Sequence, residues 1–242
     1  MAPPDVVPDP YSRMRWNTPL SEEHASLLLD RLDARSGRSW LDLGCGWGEL
    51  LLRAVADGPS DATGRGVDLD DRLLDRGRAQ AAERGLGERV SFVASAAEDI
   101  DATADRVLCV GSSHALGGTR PMLESLVERV SPGGRVLVGD ACWEKPPTQA
   151  AEEMFGDEVL PLAEVVDLAR AAGWRVIHLS TADQREWDDF ESTWRATRQE
   201  WLLDHPDHDG ATGVREKLDA QLRDYVGSYR GVLGFAYLVL AR

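Results

Sequence analysis

The sequence predicts an α/β protein built on a mostly parallel, seven-stranded sheet with helices on both faces. Short apolar runs alternate with segments of helical periodicity along most of the 242 residues, which is typical of parallel sheets covered by helices. A second observation is the stretch WLDLGCGWGELLLR at 40–53, where glycines interrupt a predicted strand and a predicted helix. The chain is long enough to form one sizeable core.

The predicted elements follow one another in order. Ser21 is a predicted N-cap, and Glu22 and Glu23 suit the first turn of the helix that it opens. The predicted strands are 39–43, 64–68, 90–94, 106–110, 135–139, 174–180 and 234–240. Helices are predicted between them at 49–57, at about 70–85, on the stripe Met122, Leu126 and Val130, and on the stripe Leu162, Val165, Ala169 and Ala172.

One long insertion separates the last two strands. Two helices are predicted there, the first striped by Trp187, Phe190, Trp194 and Trp201, the second by Val214, Leu218, Leu222, Tyr225 and Tyr229. The predicted organisation is an N-terminal segment and helix that form part of a cap (1–35), a core (36–180), a helical cap inserted before the last strand (181–230), and the last strand of the core (231–242). The proline-rich first sixteen residues predict a flexible lead-in.

The composition indicates which partners are disfavoured. The net charge is −15 and the isoelectric point is near 4.7, and such an acidic surface repels phosphate backbones and anionic lipid. We therefore expect no nucleic-acid or membrane partner. Three cysteines and a start that lacks signal-peptide character favour reduced thiols and a cytoplasmic location. No metal site is predicted, because the histidines and aspartates of HPDHDG (205–210) are interpreted as a polar loop.

Two acids flank the glycine turn. Asp42 precedes Gly44, Gly46 and Gly48 and would repel a pyrophosphate but attract an ammonium group. Asp68 follows 20 residues after Gly48, a spacing at which an acid reaches ribose hydroxyls in sheets of this kind. A ligand with a ribose, an amino group and no pyrophosphate is S-adenosylmethionine.

These residues resemble the first two motifs of the class I S-adenosylmethionine-dependent methyltransferases. The likeness covers about 36–180 and implies their Rossmann-like fold. It extends more loosely to a largely uncharacterised group of small bacterial methyltransferases through CVGSSHALGG (109–118), LVGDACWEKPP (137–147) and YRGVLGFAYLVL (229–240).

The resemblance implies roles for individual residues in binding the cofactor. The methionine end would be held by Asp42, Gly44, Cys45 and Gly46. Asp68 would bind the ribose hydroxyls, Leu69 would pack on the adenine, and Gly111 would lie near the transferred methyl group. The family often has an acid at the position of Ala96, so in this chain the backbone of Ala97 or the carboxylate of Glu98 would contact the adenine amino group.

The acceptor side of the site is predicted from fewer signals. His114, four residues beyond the fourth strand, is the candidate general base, since histidine titrates near neutrality; packing in the pocket wall is the alternative. Asp140 and Trp143 after the fifth strand, and Tyr229 near the return to the sheet, are candidate substrate contacts, with a packing role as the alternative.

The resulting hypothesis is an S-adenosylmethionine-dependent methyltransferase that acts on a small molecule by in-line methyl transfer. Three alternatives remain: a non-catalytic protein that binds the same cofactor, an NAD-dependent oxidoreductase, and a serine hydrolase with Ser113 as nucleophile. The tight glycine spacing and Asp42 disfavour the oxidoreductase. Ala115 disfavours the hydrolase, because it replaces the last glycine of a nucleophile elbow.

Overall fold

The computed structural model describes residues 6–242 and contains one mixed sheet of eight strands. They are β1 (Ser39–Leu43), β2 (Thr63–Asp68), β3 (Val90–Ala94), β4 (Ala104–Val110), β5 (Val130–Trp143), β6 (Leu160–Pro161), β7 (Arg175–Thr181) and β8 (Leu233–Ala241). The order across the sheet is β3-β2-β1-β4-β5-β8-β7, and β6 pairs with β5 outside this path. The predicted fold class and all seven predicted strands are confirmed.

Residues 6–242 also contain eight α-helices. They are α1 (Glu22–Arg31), α2 (Glu49–Asp57), α3 (Asp71–Glu83), α4 (Thr119–Arg129), α5 (Gln149–Phe155), α6 (Leu162–Ala171), α7 (Gln184–Asp204) and α8 (Ala211–Asp224). The side chain of Ser21 accepts a hydrogen bond from the amide of His24, which confirms the predicted N-cap of α1. Among these residues, none of the helices combines the length and the apolar character needed to cross a bilayer.

Strand direction determines where a site can form. β1, β2, β3, β4 and β5 pair in parallel, whereas β8 is antiparallel to both β5 and β7. β7 therefore runs in the same direction as β1 to β5. The loops that follow these strands meet at one edge of the sheet, where open α/β sheets bind their ligands.

The core consists of two apolar layers, one on each face of the sheet. One layer packs α1, α2 and α3 against the sheet, and the other packs α4 and α6. In the second layer Trp174 is 1% exposed, and its indole N–H donates to the carbonyl oxygen of Leu123 at 2.9 Å. This bond satisfies the polar atom of a large buried side chain, as buried indoles usually require.

Two features differ from the sequence predictions. The short elements α5 and β6 were not predicted, because elements of seven and two residues carry little periodicity. The prediction of a flexible lead-in is wrong for residues 10–13, which form a 3-10 turn packed against α7. The first five residues of the lead-in lie outside the described part of the chain.

A buried carboxylate joins the start of α7 to the start of α1. Glu186 is 8% exposed and accepts hydrogen bonds from the amides of Ser21 and Asp183, at 2.7 and 2.9 Å, and from Nδ1 of His24 at 3.1 Å. Burial alone would raise the pKa of Glu186, but the hydrogen bonds from His24 and Ser21 hold it down to about 2. The ionised form of Glu186 thus stabilises the contact between the two helices.

We expect Glu186→Gln to lower the free energy of unfolding at pH 7 by about 1–3 kcal/mol, the usual cost of disrupting hydrogen bonds to a buried charged group. The folded-state pKa of about 2 lies below the ordinary glutamate value of 4.5, so this stabilisation is complete above about pH 4.5 and is lost as the pH falls toward 2. Urea unfolding curves at several pH values measure the difference. Glu23→Gln, on the exposed side of α1, is the control, and equal stability of the two variants at pH 7 would contradict this interpretation.

Candidate active site

A cavity of about 710 Å³ opens at the edge of the sheet where β1, β2 and β4 end. Its volume lies within the range of roughly 300–1,000 Å³ that small-molecule sites occupy. The wall is formed by residues 42–50 around the glycine turn, 67–73 after β2, 95–98 after β3, and 110–117 after β4. Residues 15–18 complete it, and we call this segment the roof.

The three positions of the turn require glycine for different structural reasons. All three adopt the left-handed region, with φ angles of 71° at Gly44, 55° at Gly46 and 68° at Gly48. A Cβ at Gly44 would lie 2.3 Å from Cβ of Ser112, and one at Gly48 would lie 2.5 Å from Cε1 of Phe92. Only at Gly46 would a Cβ meet nothing within 4 Å. Gly44 and Gly48 thus leave room for the side chains of Ser112 and Phe92, whereas Gly46 exposes only backbone atoms to the cavity.

Asp42 is a buried carboxylate that faces the cavity. It is 5% exposed, lines the cavity, and has no side-chain hydrogen bond to any part of residues 6–242. Burial, with a smaller contribution from the nearby charge of Asp68, raises the pKa of Asp42 to about 8. Because an unpaired buried charge is costly, this position favours a cationic ligand group that would pair with the carboxylate.

The Asp68 carboxylate is oriented by the backbone of the two turns beside it. Its Oδ2 accepts from the amide of Gly46 at 2.8 Å, and its Oδ1 accepts from the amide of Asp70 at 3.0 Å. A carboxylate has about four acceptor positions, so acceptor capacity remains on both oxygens toward the cavity. Asp68 is placed to accept hydrogen bonds from ligand hydroxyl groups.

An apolar ledge borders the cavity next to Asp68. Leu69 lines the wall although its side chain is 74% exposed, and so large an exposed apolar surface suits a flat aromatic ligand. Ala96, Ala97 and Glu98 form the opposite border, where Ala97 is buried and Glu98 is exposed. The structure thus brings Leu69 and the 96–98 segment together at one end of the cavity.

The thiol of Cys45 also lies in this wall. Burial raises the pKa of Cys45 well above its ordinary value, and the charges of Asp42 and Asp68 act in the same direction. The side chain is therefore a neutral thiol, which contacts the carbonyl oxygen of Gly46 at 3.4 Å. Cys45 thus contributes shape to the turn rather than charge.

Gly111 and His114 follow β4 and also line the cavity, and the turn that carries His114 (Ser113–Leu116) contacts residues 97–99. A Cβ at Gly111 would lie 3.3 Å from Cγ2 of Thr18, so the roof comes close to the chain at this point. His114 is exposed on a 3-10 turn over Ser113–Leu116 and lines the cavity. Within residues 6–242, Ser113 hydrogen-bonds to the carboxylate of Asp140 and not to a histidine, and this disfavours the serine hydrolase alternative.

The three predicted substrate contacts do not line this cavity. Trp143 is 8% exposed and packs edge-to-face on Phe155 at 5.9 Å, while Tyr229 is buried and donates to Glu191 at 2.7 Å. Asp140 lies in β5, and one of its carboxylate oxygens is buried without a hydrogen-bond partner. Burial raises the pKa of Asp140, whereas hydrogen bonds from Ser113 and the charge of His114 partly lower it.

The sequence analysis expected residues 1–35 to be part of the cap but did not identify the residues that form the roof. The roof is held by the indole N–H of Trp47, which donates to the carbonyl oxygen of Arg15 at 2.9 Å. The guanidinium carbon of Arg76 lies 4.0 Å from the centroid of the Trp47 ring. Arg76 also donates hydrogen bonds to the carbonyl oxygens of Tyr11 and Met14, at 2.8 and 2.6 Å. The contacts join residues 29 to 65 positions apart, and no local pattern reveals them.

The inserted helices lie behind the roof and do not line the cavity. Residues 186–193 of α7 and residues 14–20 border a small gap of about 30 Å³. Within the described chain, no residue of 181–230 is part of the cavity wall. The insertion therefore supports the roof instead of enclosing the ligand directly.

The cavity suits S-adenosylmethionine in its chemistry. An unpartnered buried carboxylate at Asp42 matches an ammonium group, Asp68 matches ribose hydroxyls, and the Leu69 ledge matches an adenine ring. The open space at Gly46 leaves room beside the backbone for the chain that joins these groups.

Comparisons with known proteins agree with this geometry. The profile of a methyltransferase domain family matches residues 41–134. The chain is 31% identical to the uncharacterised protein YjhP of Escherichia coli over 236 residues, which cover 95% of this chain and 94% of that protein. A 27-O-demethylrifamycin SV methyltransferase of Amycolatopsis mediterranei is 29% identical over 126 residues, which cover 49% of this chain and 46% of that enzyme.

A solved structure extends the comparison to the whole chain. The S-adenosylmethionine-dependent methyltransferase of Geobacter sulfurreducens, in complex with S-adenosyl-L-homocysteine, superposes with a TM-score of 0.86 and 29% identity over 96% of each chain. That enzyme was crystallised with the demethylated form of the ligand for which this cavity is suited. The fold, the glycine turn between two cavity-facing carboxylates, and these relatives lead to one conclusion: the chain belongs to the class I S-adenosylmethionine-dependent methyltransferases.

Proposed function

We propose that this enzyme methylates a small organic acceptor that enters the cavity between the roof and the end of β4. The observation that carries the proposal is the buried Asp42 carboxylate, which faces a cavity of small-molecule size and finds no partner in the described chain. It marks where the amino-acid end of the donor would lie. The remaining wall toward Gly111 and His114 is then left for the acceptor.

Each donor-binding residue has a separable role in this proposal. Asp42 pairs with the ammonium group, and Asp68 accepts from the ribose hydroxyls while the amides of Gly46 and Asp70 hold it in place. Leu69 packs on the adenine ring. Glu98 or the backbone of Ala97 takes the place of the acid that the family often has at the position of Ala96.

The chemistry requires little from the protein beyond binding and orientation. When bound, S-adenosylmethionine supplies a methyl group on a positively charged sulfur, a carbon already activated for displacement. The roof and the end of β4 can hold an acceptor close to that carbon, and orientation of this kind can lower a barrier by up to about 7–11 kcal/mol. Trp16, Asn17 and Thr18 line the same side of the cavity and would shield the acceptor from water.

His114 is the proposed proton acceptor when the acceptor molecule is a hydroxyl or a protonated amine. It lies in the cavity wall four residues beyond β4, on a turn that leaves its ring exposed to an entering molecule. Asp140 lies close enough to interact with the charge of His114, and a carboxylate there would stabilise the protonated imidazole. Trp143 and Tyr229 remain proposed acceptor contacts only if the aromatic cluster around Phe155 opens.

A small acceptor fits both the surface and the relatives. The net charge of −15 disfavours nucleic acid as a substrate, and the cavity accommodates the donor with limited further space. The rifamycin methyltransferase among the relatives acts on a small molecule, which supports the same class of acceptor here. The acidic cavity wall favours neutral or cationic acceptors over polyanions.

Ligand binding gives the direct test of the donor. S-adenosylmethionine and S-adenosylhomocysteine, each at one hundred times its dissociation constant, should stabilise the folded protein by roughly 2.7 kcal/mol, measured as a rise in the thermal unfolding midpoint. NAD should cause no shift, because its pyrophosphate would face Asp42. A folded sample that responds to NAD but to neither sulfur ligand would contradict the proposal.

Binding of S-adenosylhomocysteine should depend on pH through Asp42. An ammonium ligand requires the ionised carboxylate, and the free-protein pKa is about 8. The affinity should therefore rise by up to about tenfold per pH unit between about pH 6 and 7.5, with one proton released on binding. Isothermal titration calorimetry in buffers of different ionisation enthalpy measures both quantities.

The matched variant is Asp42→Asn, which keeps the shape of the side chain but cannot ionise. It should bind S-adenosylhomocysteine more weakly than the parent protein at pH 7.5, release no proton from this position, and differ less from the parent at pH 6. A pH dependence that is identical in both proteins would remove Asp42 from the ammonium site.

The role of His114 can be tested by transfer of a labelled methyl group from S-adenosylmethionine to a panel of small hydroxyl and amine compounds. For an acceptor that must lose a proton, His114→Ala should lower kcat by about 10²–10⁴-fold. Affinity for S-adenosylhomocysteine, measured by calorimetry, should stay unchanged. Parent-like kcat in this variant would leave His114 with a packing role only.

A further inference from the structure

The wall of the donor cavity is rich in carboxylates. Besides Asp42 and Asp68, the side chains of Glu49, Asp70 and Glu98 line it. The donor amino acid carries a carboxylate of its own, which this wall would repel. A binding site for the whole amino acid therefore needs a cation, and within the described chain the only arginine or lysine that lines the cavity is Arg15.

We propose that Arg15, in the roof, binds the carboxylate of the donor's amino-acid end, opposite the ammonium site at Asp42. This inference rests on the proposed donor site and adds a residue to it. Arginine suits this task because its planar guanidinium can donate two parallel hydrogen bonds to one carboxylate.

The backbone of Arg15 is held next to the glycine turn. Its carbonyl oxygen accepts from the indole N–H of Trp47 at 2.9 Å, and Trp47 directly follows Gly46, the glycine that faces open space. Arg76 fixes the preceding residue by donating to the carbonyl oxygen of Met14 at 2.6 Å. The start of the Arg15 side chain is thus placed beside the end of the cavity that holds the amino acid.

The present partner of Arg15 can be given up at little cost. Arg15 pairs with Glu22, and the side chains are 59% and 47% exposed, so the pair contributes little to stability. Glu22 also accepts from Arg53, with Nη2 at 3.1 Å. If Arg15 turns toward a ligand, Glu22 keeps Arg53 as its cationic partner. The ligand carboxylate then pairs with Arg15 in a less solvated site.

The other arginines near Arg15 are engaged elsewhere. Arg15 also borders a neighbouring groove of about 480 Å³, whose lining includes Arg53, Arg76, Arg84 and Glu49. Arg53 and Arg84 pair with Glu49, and Arg76 donates to the main-chain carbonyl oxygens of Tyr11 and Met14. Arg15 is therefore the cation on this side that can turn to a ligand carboxylate.

Two probes separate the amino-acid end from the rest of the donor. S-adenosylhomocysteine carries the ammonium and the carboxylate, and 5′-methylthioadenosine has the same adenosyl thioether without either charge. Arg15→Ala should weaken S-adenosylhomocysteine binding by about ten- to a hundredfold and leave 5′-methylthioadenosine binding within about twofold. Arg15→Lys should recover part of the lost affinity. Isothermal titration calorimetry measures all of these values without an acceptor.

Arg13→Ala is the matched control, since Arg13 lies two residues earlier, forms an exposed ion pair with Glu200, and does not line the donor cavity. It should bind both probes as the parent protein does. Unchanged S-adenosylhomocysteine affinity in Arg15→Ala would overturn the inference, as would an equal loss for both probes, which would indicate a packing role of the roof. Failure of the parent protein to bind S-adenosylhomocysteine would instead overturn the proposed function, and this inference with it.

Discussion

The structure of the site depends on one electrostatic arrangement, the two carboxylates of Asp42 and Asp68 on either side of a bare peptide turn. Asp68 is satisfied by the amides of Gly46 and Asp70, whereas Asp42 is buried without a partner. Burial keeps Asp42 largely protonated near neutrality, since its pKa is about 8. A cationic ligand would pair with the ionised carboxylate and offset the cost of burying its charge. The site therefore favours a positively charged group.

The rest of the molecule places and encloses this arrangement. The parallel strands bring the turns after β1, β2 and β4 to one edge, and the antiparallel β8 lets the chain return after the inserted helices. Those helices act at a distance from the ligand. α7 is joined to α1 through Glu186 and packs against the turn at residues 10–13, which leads into the roof. The helical insertion therefore supports the segment that covers the cavity.

Trp47 connects the donor motif to the roof. It is 3% exposed, lies within the glycine turn, and bonds to Arg15 while Arg76 stacks on its ring. A ligand that rests on the glycine turn thus contacts a backbone that is directly tied to the roof. Because this coupling is made of hydrogen bonds to main-chain carbonyls, it constrains where residues 11–15 lie and leaves the side chain of Arg15 free to select a partner.

The sequence by itself determined the fold class, nearly all strands and helices, and the turn of Asp42, Gly44–Gly48 and Asp68 that lines the cavity, because periodicity and motif spacing are properties of the chain alone. Only the tertiary structure decided which glycines face the ligand, that Trp143 and Tyr229 lie in an aromatic cluster away from the cavity, and that the lead-in folds into a roof. Those outcomes depend on contacts such as Trp47 with Arg15 and Gly44 with Ser112. Residues 30 to 70 positions apart come into contact only once the sheet has formed, so local sequence patterns do not predict these contacts.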